Sequence, residues 1–70
     1  MGFDVKECGK RMRALRKEFK LTQEQAAEIL GISRDHLAHI EIGRYAPSID
    51  LLIQVTDLYK TSLDYLVLGK

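Results

Sequence analysis

The side chains best suited to chemistry lie close together between residues 33 and 39, in the stretch SRDHLAH. Imidazoles can bind metals or move protons, and an arginine can donate paired hydrogen bonds. His36 and His39 are the only histidines, Cys8 is the only cysteine, and no carboxylate pattern joins them. We therefore expect no metal site and no cofactor. No nucleophile–base pair or glycine-rich phosphate loop is visible either, so we do not expect an enzyme.

The elements that position this stretch are all predicted to be helices. The sequence has no alternating β-branched run and no Asn-Gly or Asp-Gly turn, which are the usual signs of strands and hairpins. Apolar residues at helical spacing, with polar capping residues before them, predict helices over residues 4–18, 23–30, 34–42, 49–59 and 63–68. The expected fold class is an all-α, compact five-helix bundle, formed as one domain over residues 1–70.

The first predicted helix carries one apolar stripe, spaced by three and four residues: Val5, Cys8, Met12, Leu15 and Phe19. Cys8 lies on this stripe, so we expect a small buried hydrophobe rather than a reactive thiol. Thr22 and Gln25 have the spacing of a capping box at the start of the second helix. Phe3 and Ile42 are apolar but have no obvious inward position.

The second and third helices are joined by about three residues, so the chain cannot fold back and the helices must cross steeply. We expect Ala27 to be the small side chain at the crossing and Gly31 to permit the turn. Ile32 fills the corner, while Leu37 and Ile40 hold the third helix to the core. This is a helix-turn-helix, whose second helix can place its outer face in the major groove of B-DNA, about 12 Å wide.

The stretch LTQEQAAEILGISRDHLAHIEIGRYAPS, followed by LYKTSLDYLVLG, resembles the phage repressor and Cro family of helix-turn-helix regulators, the xenobiotic-response-element type. The resemblance covers about Arg11 to Gly69, and its motifs are the small alanine, the turn glycine, the serine cap, IE before a glycine, and PS. It implies a lambda-repressor-like DNA-binding domain. The implied function is a sequence-specific transcriptional regulator, a repressor, that binds a palindromic operator in double-stranded DNA as a homodimer. No small-molecule ligand is implied.

The resemblance implies that the outer face of the third helix contacts base edges, through Arg34, Asp35, His36 and His39. Arg34 suits a bidentate contact with O6 and N7 of guanine. Asp35 departs from the small polar or glutamine residues usual in the family. A carboxylate near DNA is repelled by phosphate, unless it accepts a hydrogen bond from N4 of cytosine. Asp35 would otherwise orient Arg34 or His39. The alternative is that these side chains are only solvated.

The resemblance assigns Gln23, Arg44 and Tyr45 to phosphate contacts, and Ser33 and Arg11 are further candidates for such contacts. The N-terminus of the second helix adds a partial positive charge beside Gln23. Lys10 and Arg13 would add further charge, although only some of these cations can face the duplex.

Two further groups of residues follow from the resemblance. Arg16 and Glu41 match an ion pair that links the first helix to the end of the third, and we expect its role to be structural. Tyr65, Val67 and Leu68 lie near the end of the chain and are candidates for a twofold interface. The alternative is that they complete a small core.

The charges of the chain are unevenly distributed. The net charge is only +1, but residues 1–20 carry a net +4 and the other fifty residues a net −3. Such a chain can present a basic face while it remains nearly neutral overall. The low net charge and Asp35 leave open a protein-interaction module, such as an antitoxin or a factor that docks on another regulatory protein. We expect a cytoplasmic location, because a lone cysteine, Cys8, fits a reducing compartment. We expect no membrane segment, because no apolar run approaches about 20 residues.

Overall fold

The computed structural model describes residues 2–70, and within that range the chain forms five helices and no strand. The helices are α1 (Val5–Glu18), α2 (Gln23–Leu30), α3 (Arg34–Glu41), α4 (Ile49–Tyr59) and α5 (Leu63–Leu68). This architecture confirms the predicted all-α fold class. α1 and α3 are each one residue shorter than predicted, because Asp4 and Ile42 occupy the cap positions.

Each helix begins after a polar side chain that accepts a hydrogen bond from the backbone N–H three residues later. The capping residues are Asp4, Thr22, Ser33, Ser48 and Ser62, with distances of 3.0–3.1 Å. At α2 the Gln25 side chain also accepts from the Thr22 N–H at 2.9 Å, which completes the capping box. Such a cap contributes about 1 kcal/mol, and helices this short depend on caps and packing because isolated short helices are marginal in water.

The core is built from one apolar side of each helix. Its buried hydrophobic residues are Cys8, Met12, Ala26, Ala27, Leu30, Leu37, Ile40, Leu51, Leu52, Val55, Tyr59 and Leu66. Burial raises the pKa of the Cys8 thiol, although the charge of Arg11 opposes the shift. Cys8 is therefore an inert part of the core. Phe19 was predicted to lie on the buried stripe but is 44% exposed, because α1 ends at Glu18 and Phe19 follows it. Its ring forms an edge-to-face pair with that of Tyr59.

α1 and the end of α3 approach each other closely at Gly9. A Cβ atom at Gly9 would meet the carbonyl oxygen of Ile40 and lie 2.6 Å from that of Glu41. Gly43, with φ of +82°, approaches α1 in the same way, since a Cβ there would lie 2.7 Å from the Cα of Lys6. Two glycines therefore set how closely the first helix packs on the third.

Candidate nucleic-acid interface

The turn between α2 and α3 is closed by its own backbone. Gly31 ends α2 with φ of 74°, a left-handed conformation that glycine adopts without steric cost. The N–H groups of Gly31 and Ile32 donate to the carbonyl oxygens of Glu28 and Ala27 at 3.2 and 3.0 Å. Three residues thus connect α2 to α3, and the Ser33 hydroxyl, which accepts from the His36 N–H, caps the start of α3.

α3 separates its anchoring residues from its exposed ones. Leu37 and Ile40 are buried in the core, and Ile32 packs against it from the turn. On the outer side Arg34, Asp35 and His36 are exposed, and His39 is half-buried. α3 is therefore a fixed helix with a free polar face.

Arg34 and Asp35 form an ion pair on this face, between Nη2 and Oδ1 at 3.4 Å. Their side chains are 59% and 81% exposed. Exposed pairs contribute about 0–1 kcal/mol, so Asp35 does not hold the guanidinium in place. The donors of Arg34 remain available to another acceptor.

A buried carboxylate connects the first three helices. Glu41 accepts from Arg16 twice, at 2.8 Å from Nε and at 3.1 Å from Nη2, and once from Nε2 of Gln23 at 3.1 Å. Arg16 also donates from Nη1 to the carbonyl oxygen of Leu21 at 2.9 Å. Among the described residues no buried side-chain polar atom lacks a partner. This network fixes the C-terminal end of α3 relative to α1 and to the start of α2.

The Gln23 side chain thus uses part of its hydrogen-bonding capacity inside the chain. Its amide nitrogen gives one hydrogen to Glu41, which leaves the second hydrogen and the amide oxygen free. The sequence pattern does not predict this bond, because Gln23 and Glu41 lie in different helices. Gln23 therefore links the network to the surface.

Basic side chains of α1 surround the start of α2. A surface depression of about 540 Å³ is lined by Arg13, Arg16, Thr22, Gln23, Glu24 and Arg34. A neighbouring one of about 460 Å³ is lined by Lys6, Lys10, Arg13, Gln23, Glu41 and Ile42. Lys6, which the sequence prediction did not include, joins Lys10 and Arg13 on the side of the molecule where α2 begins and Arg34 lies.

Arg11 does not belong to this basic surface. Its Nη1 donates to the carbonyl oxygen of Leu66 at 2.9 Å, near the C-terminal end of α5. Arg11 and Arg13 are two residues apart on α1, hence about 200° apart around it. The structure therefore does not support a phosphate contact by Arg11; its guanidinium fastens α5 to α1.

Arg44 and Tyr45 lie in the loop that follows α3. The Arg44 N–H donates to the carbonyl oxygen of His39 at 2.8 Å, and the Arg44 side chain is exposed. The Tyr45 ring lies against both imidazoles: its centroid is 6.0 Å from that of His36 and 5.3 Å from that of His39. This cluster was not predictable from the sequence pattern, because Tyr45 reaches the histidines only through the turn after α3.

A family model described as helix-turn-helix matches residues 12–66. The chain belongs to the helix-turn-helix family. The immunity repressor protein of Bacillus phage phi105 is 54% identical over 44 residues, which cover 63% of this chain and 31% of that protein. The HTH-type transcriptional regulator ImmR of Bacillus subtilis strain 168 is 40% identical over 62 residues, which cover 89% of this chain and 48% of that protein. The chain thus spans about a third to a half of the length of these relatives.

A solved helix-turn-helix structure has the same fold. The P22 c2 repressor protein, in a crystal structure with synthetic operator 9T, superposes with a TM-score of 0.85 at 28% identity. The match covers 90% of this chain and 96% of that one. The resemblance noted in the sequence is thereby confirmed.

The end of this helix-turn-helix chain carries apolar surface. Leu68 is 52% exposed, whereas Tyr65 and Val67 are half-buried and Val67 packs partly against the core. An apolar groove of about 360 Å³ is lined by Phe3, Ala46, Pro47, Ile49, Leu52 and Val67. Phe3, which had no predicted partner, lies beside the end of α5.

Residues 2–70 of this helix-turn-helix chain contain neither a metal-binding group nor a membrane-spanning helix. Within that range no three His, Cys, Asp or Glu side chains are grouped so that they could hold a metal ion. None of the five described helices combines the length and the apolar character that a membrane crossing requires.

Proposed function

We propose that the chain is a sequence-specific DNA-binding transcriptional regulator, a repressor, that places α3 in the major groove. The observation that carries the proposal is the exposed polar face of α3 on a helix whose opposite side is anchored by Leu37 and Ile40. An α-helix fits the major groove, where base pairs present distinct donors and acceptors. The likeness to a repressor solved with a synthetic operator supports the same function.

Within this proposal the outer side chains of α3 form hydrogen bonds with the edges of the bases. Arg34 donates to O6 and N7 of a guanine, the commonest specific contact. His36 and His39 donate to base acceptors. Asp35 accepts from N4 of a cytosine or remains in its weak surface pair with Arg34.

The phosphate contacts come from the surface around the start of α2. The N-terminus of α2 presents free backbone N–H groups to one phosphate, and the free part of the Gln23 amide adds another donor. Lys6, Lys10 and Arg13 neutralise phosphates on one side of α3. Ser33 and Arg44, at the two ends of α3, complete the set.

The palindromic operator requires a twofold pair of chains, and we propose that they meet through the apolar surface at the end of α5. Leu68 is the central residue, with Val67 and Tyr65 beside it. The two copies of α3 would then occupy half-sites about 34 Å apart, one helical turn of DNA.

Selection of bound duplexes from a random pool tests the proposal directly. We expect the chain to enrich one motif, made of two inverted half-sites centred about 10 base pairs apart. The enriched duplex should then be retarded in a gel at submicromolar protein, increasingly so at low salt. A chain that retards no duplex at low salt, yet co-purifies with a second protein, would instead be a protein-interaction module.

A further inference from the structure

Tyr45 forms an aromatic cluster with both histidines on the outer face of α3. Its ring is nearly parallel to that of His36, at an interplanar angle of 28°, and meets His39 edge-on at 86°. Both centroid separations, 6.0 and 5.3 Å, fall in the range of favourable aromatic pairs. One loop side chain therefore touches both imidazoles of the chain at once.

Without a neighbouring ring, the imidazoles of His36 and His39, which lie three residues apart on α3, would move between rotamers. His36 is exposed and His39 half-buried, and no side-chain hydrogen bond to either ring is present in the described residues. A side chain that must be immobilised on binding costs affinity, and prior ordering in the free protein reduces that cost. Tyr45 supplies this ordering, since its ring lies beside both imidazoles and limits the rotamers open to each of them.

We propose that Tyr45 is a positioning residue, which holds His36 and His39 in the orientation that meets base edges, rather than a phosphate contact itself. The inference rests on the proposed DNA-binding function. The charged residues nearest to the cluster in sequence are Arg34, Asp35 and Glu41 on α3 and Arg44 in the loop. Glu41 is engaged by Arg16, and among the described residues no side chain forms a hydrogen bond with either imidazole, so the Tyr45 ring is the contact that orders them.

The two roles of Tyr45 require different parts of its side chain. Contact with phosphate requires the phenolic O–H, whereas positioning of the imidazoles requires the ring. Tyr45→Phe keeps the ring and Tyr45→Ala removes it, and both changes lie in a loop at a residue that is 47% exposed. The ligand in this experiment is the duplex that the native chain selects from a random pool.

We expect Tyr45→Phe to bind this duplex within about twofold of the native chain, and Tyr45→Ala to bind it about tenfold more weakly. In a chain that carries His36→Ala and His39→Ala, the further change Tyr45→Ala should have little effect, because no imidazole remains to be positioned. Equal losses in Tyr45→Phe and Tyr45→Ala would overturn the inference in favour of a phosphate contact. So would a full tenfold loss from Tyr45→Ala in the chain without histidines.

A measurement on the free chain separates this inference from the proposed function. The ring current of Tyr45 should shift the imidazole C–H proton resonances of His36 and His39, and the shifts should persist in Tyr45→Phe and vanish in Tyr45→Ala. Unchanged resonances in Tyr45→Ala would overturn the inference even if the native chain binds DNA. A native chain that retards no duplex at low salt would overturn the proposed function and the inference together.

Discussion

Arg34 lies in the first turn of α3 with its guanidinium largely in solvent. We expect Arg34→Ala to weaken binding to the preferred duplex by about 1–3 kcal/mol and to relax the preference at one base position. The reason is that a bidentate contact to guanine distinguishes that base from the other three. Selection from a random pool, repeated with the variant, measures both effects.

Arg13→Ala is the matched control, because it removes a guanidinium that we assign to phosphate. It should weaken binding to all sequences alike and lower the slope of log affinity against log salt by about 0.9. An equal loss on every sequence from Arg34→Ala would show that Arg34 binds only phosphate.

Glu41 holds the Arg16 guanidinium in the interior, and its side chain is 1% exposed. Glu41→Gln should lower the free energy of unfolding by about 3–5 kcal/mol, since it leaves a buried cation without its partner. Glu7→Gln makes the same chemical change in the exposed pair with Lys10 and should cost less than about 1 kcal/mol. Urea unfolding of the two variants compares them, and equal costs would contradict the structural role of the buried pair.

Tyr59 links the stability of the chain to alkaline pH. Burial of its phenol, and the charge of Glu41, raise the pKa of Tyr59 from 10.0 to about 12, while Arg16 opposes the shift. The folded state therefore disfavours the phenolate, so the stabilisation is complete below pH 10 and is lost as the pH rises from 10 to 12. Tyr59→Phe should unfold with a weaker dependence on pH in this window. If Tyr59→Phe and the native chain lost stability equally between pH 10 and 12, the raised pKa of Tyr59 would be contradicted.

At the scale of elements, the crossing of α1 and α3 depends on Gly9. Alanine in a helix is normally more stable than glycine by about 0.5–1 kcal/mol. Here we expect the opposite: Gly9→Ala should destabilise the chain by about 1–3 kcal/mol, because its Cβ would meet the carbonyl oxygens of Ile40 and Glu41. Thermal unfolding of the variant and the native chain shows whether the substitution lowers or raises the stability.

Gly31→Ala is the comparison for Gly9→Ala. A Cβ at Gly31 has no atom within 4 Å, but φ is +74°, so only the backbone is strained. The expected cost is about 1–2 kcal/mol, and Gly31→Asn should cost less because asparagine tolerates this conformation. A stabilised Gly9→Ala chain would show that α1 can move away from α3.

Local features of the structure were predictable from the sequence, and contacts between helices were not. The caps at Thr22, Ser33 and Ser48 and the turn at Gly31 depend on a few neighbouring residues, so the sequence pattern identifies them. The close approach at Gly9 and the bond from Arg11 to α5 depend on partners that are distant in sequence. Periodicity indicates which side of a helix is apolar, but not which carbonyl oxygen will face it.

In the candidate site, too, local features were predictable from the sequence, whereas most contacts between helices were not. The exposed face of α3 follows from its spacing and capping, whereas the link from Gln23 to Glu41 and the ring of Tyr45 against the imidazoles appear only once the helices are packed. The pairing of Arg16 with Glu41 was expected from the family resemblance alone, since 25 residues separate them.

On the scale of the molecule, the charges are unevenly distributed, and under the proposed function this distribution favours one orientation on DNA. The basic residues of α1 lie near α2 and α3, whereas residues 48–68 carry Asp50, Asp57 and Asp64 against Lys60 alone. A chain with this asymmetry approaches a duplex with its basic side first and is repelled in the reverse orientation.

The proposed twofold pairing is tested at Leu68. Leu68→Asp places a charge on the exposed apolar end of α5, and we expect it to weaken self-association by at least tenfold while the single chain stays folded. Binding to the palindrome should fall, and binding to an isolated half-site should not. Sedimentation equilibrium and gel retardation measure these effects.

Leu63→Asp is the control for Leu68→Asp, because Leu63 is 41% exposed and lies about 140° away around α5. Its self-association should match that of the native chain. Loss of pairing in Leu63→Asp, with none in Leu68→Asp, would place the interface on another side of α5.

The separation of anchors and exposed residues on α3 has a consequence for how such a chain changes its target. Replacement of Arg34, Asp35 and His36 by other polar residues leaves Leu37 and Ile40 in place. Surface substitutions of this kind usually alter folding by less than about 0.5 kcal/mol. Under the proposed function, a lineage can therefore acquire a new operator through a few substitutions on the exposed face of α3 while the core stays unchanged, and one scaffold can serve many regulatory circuits.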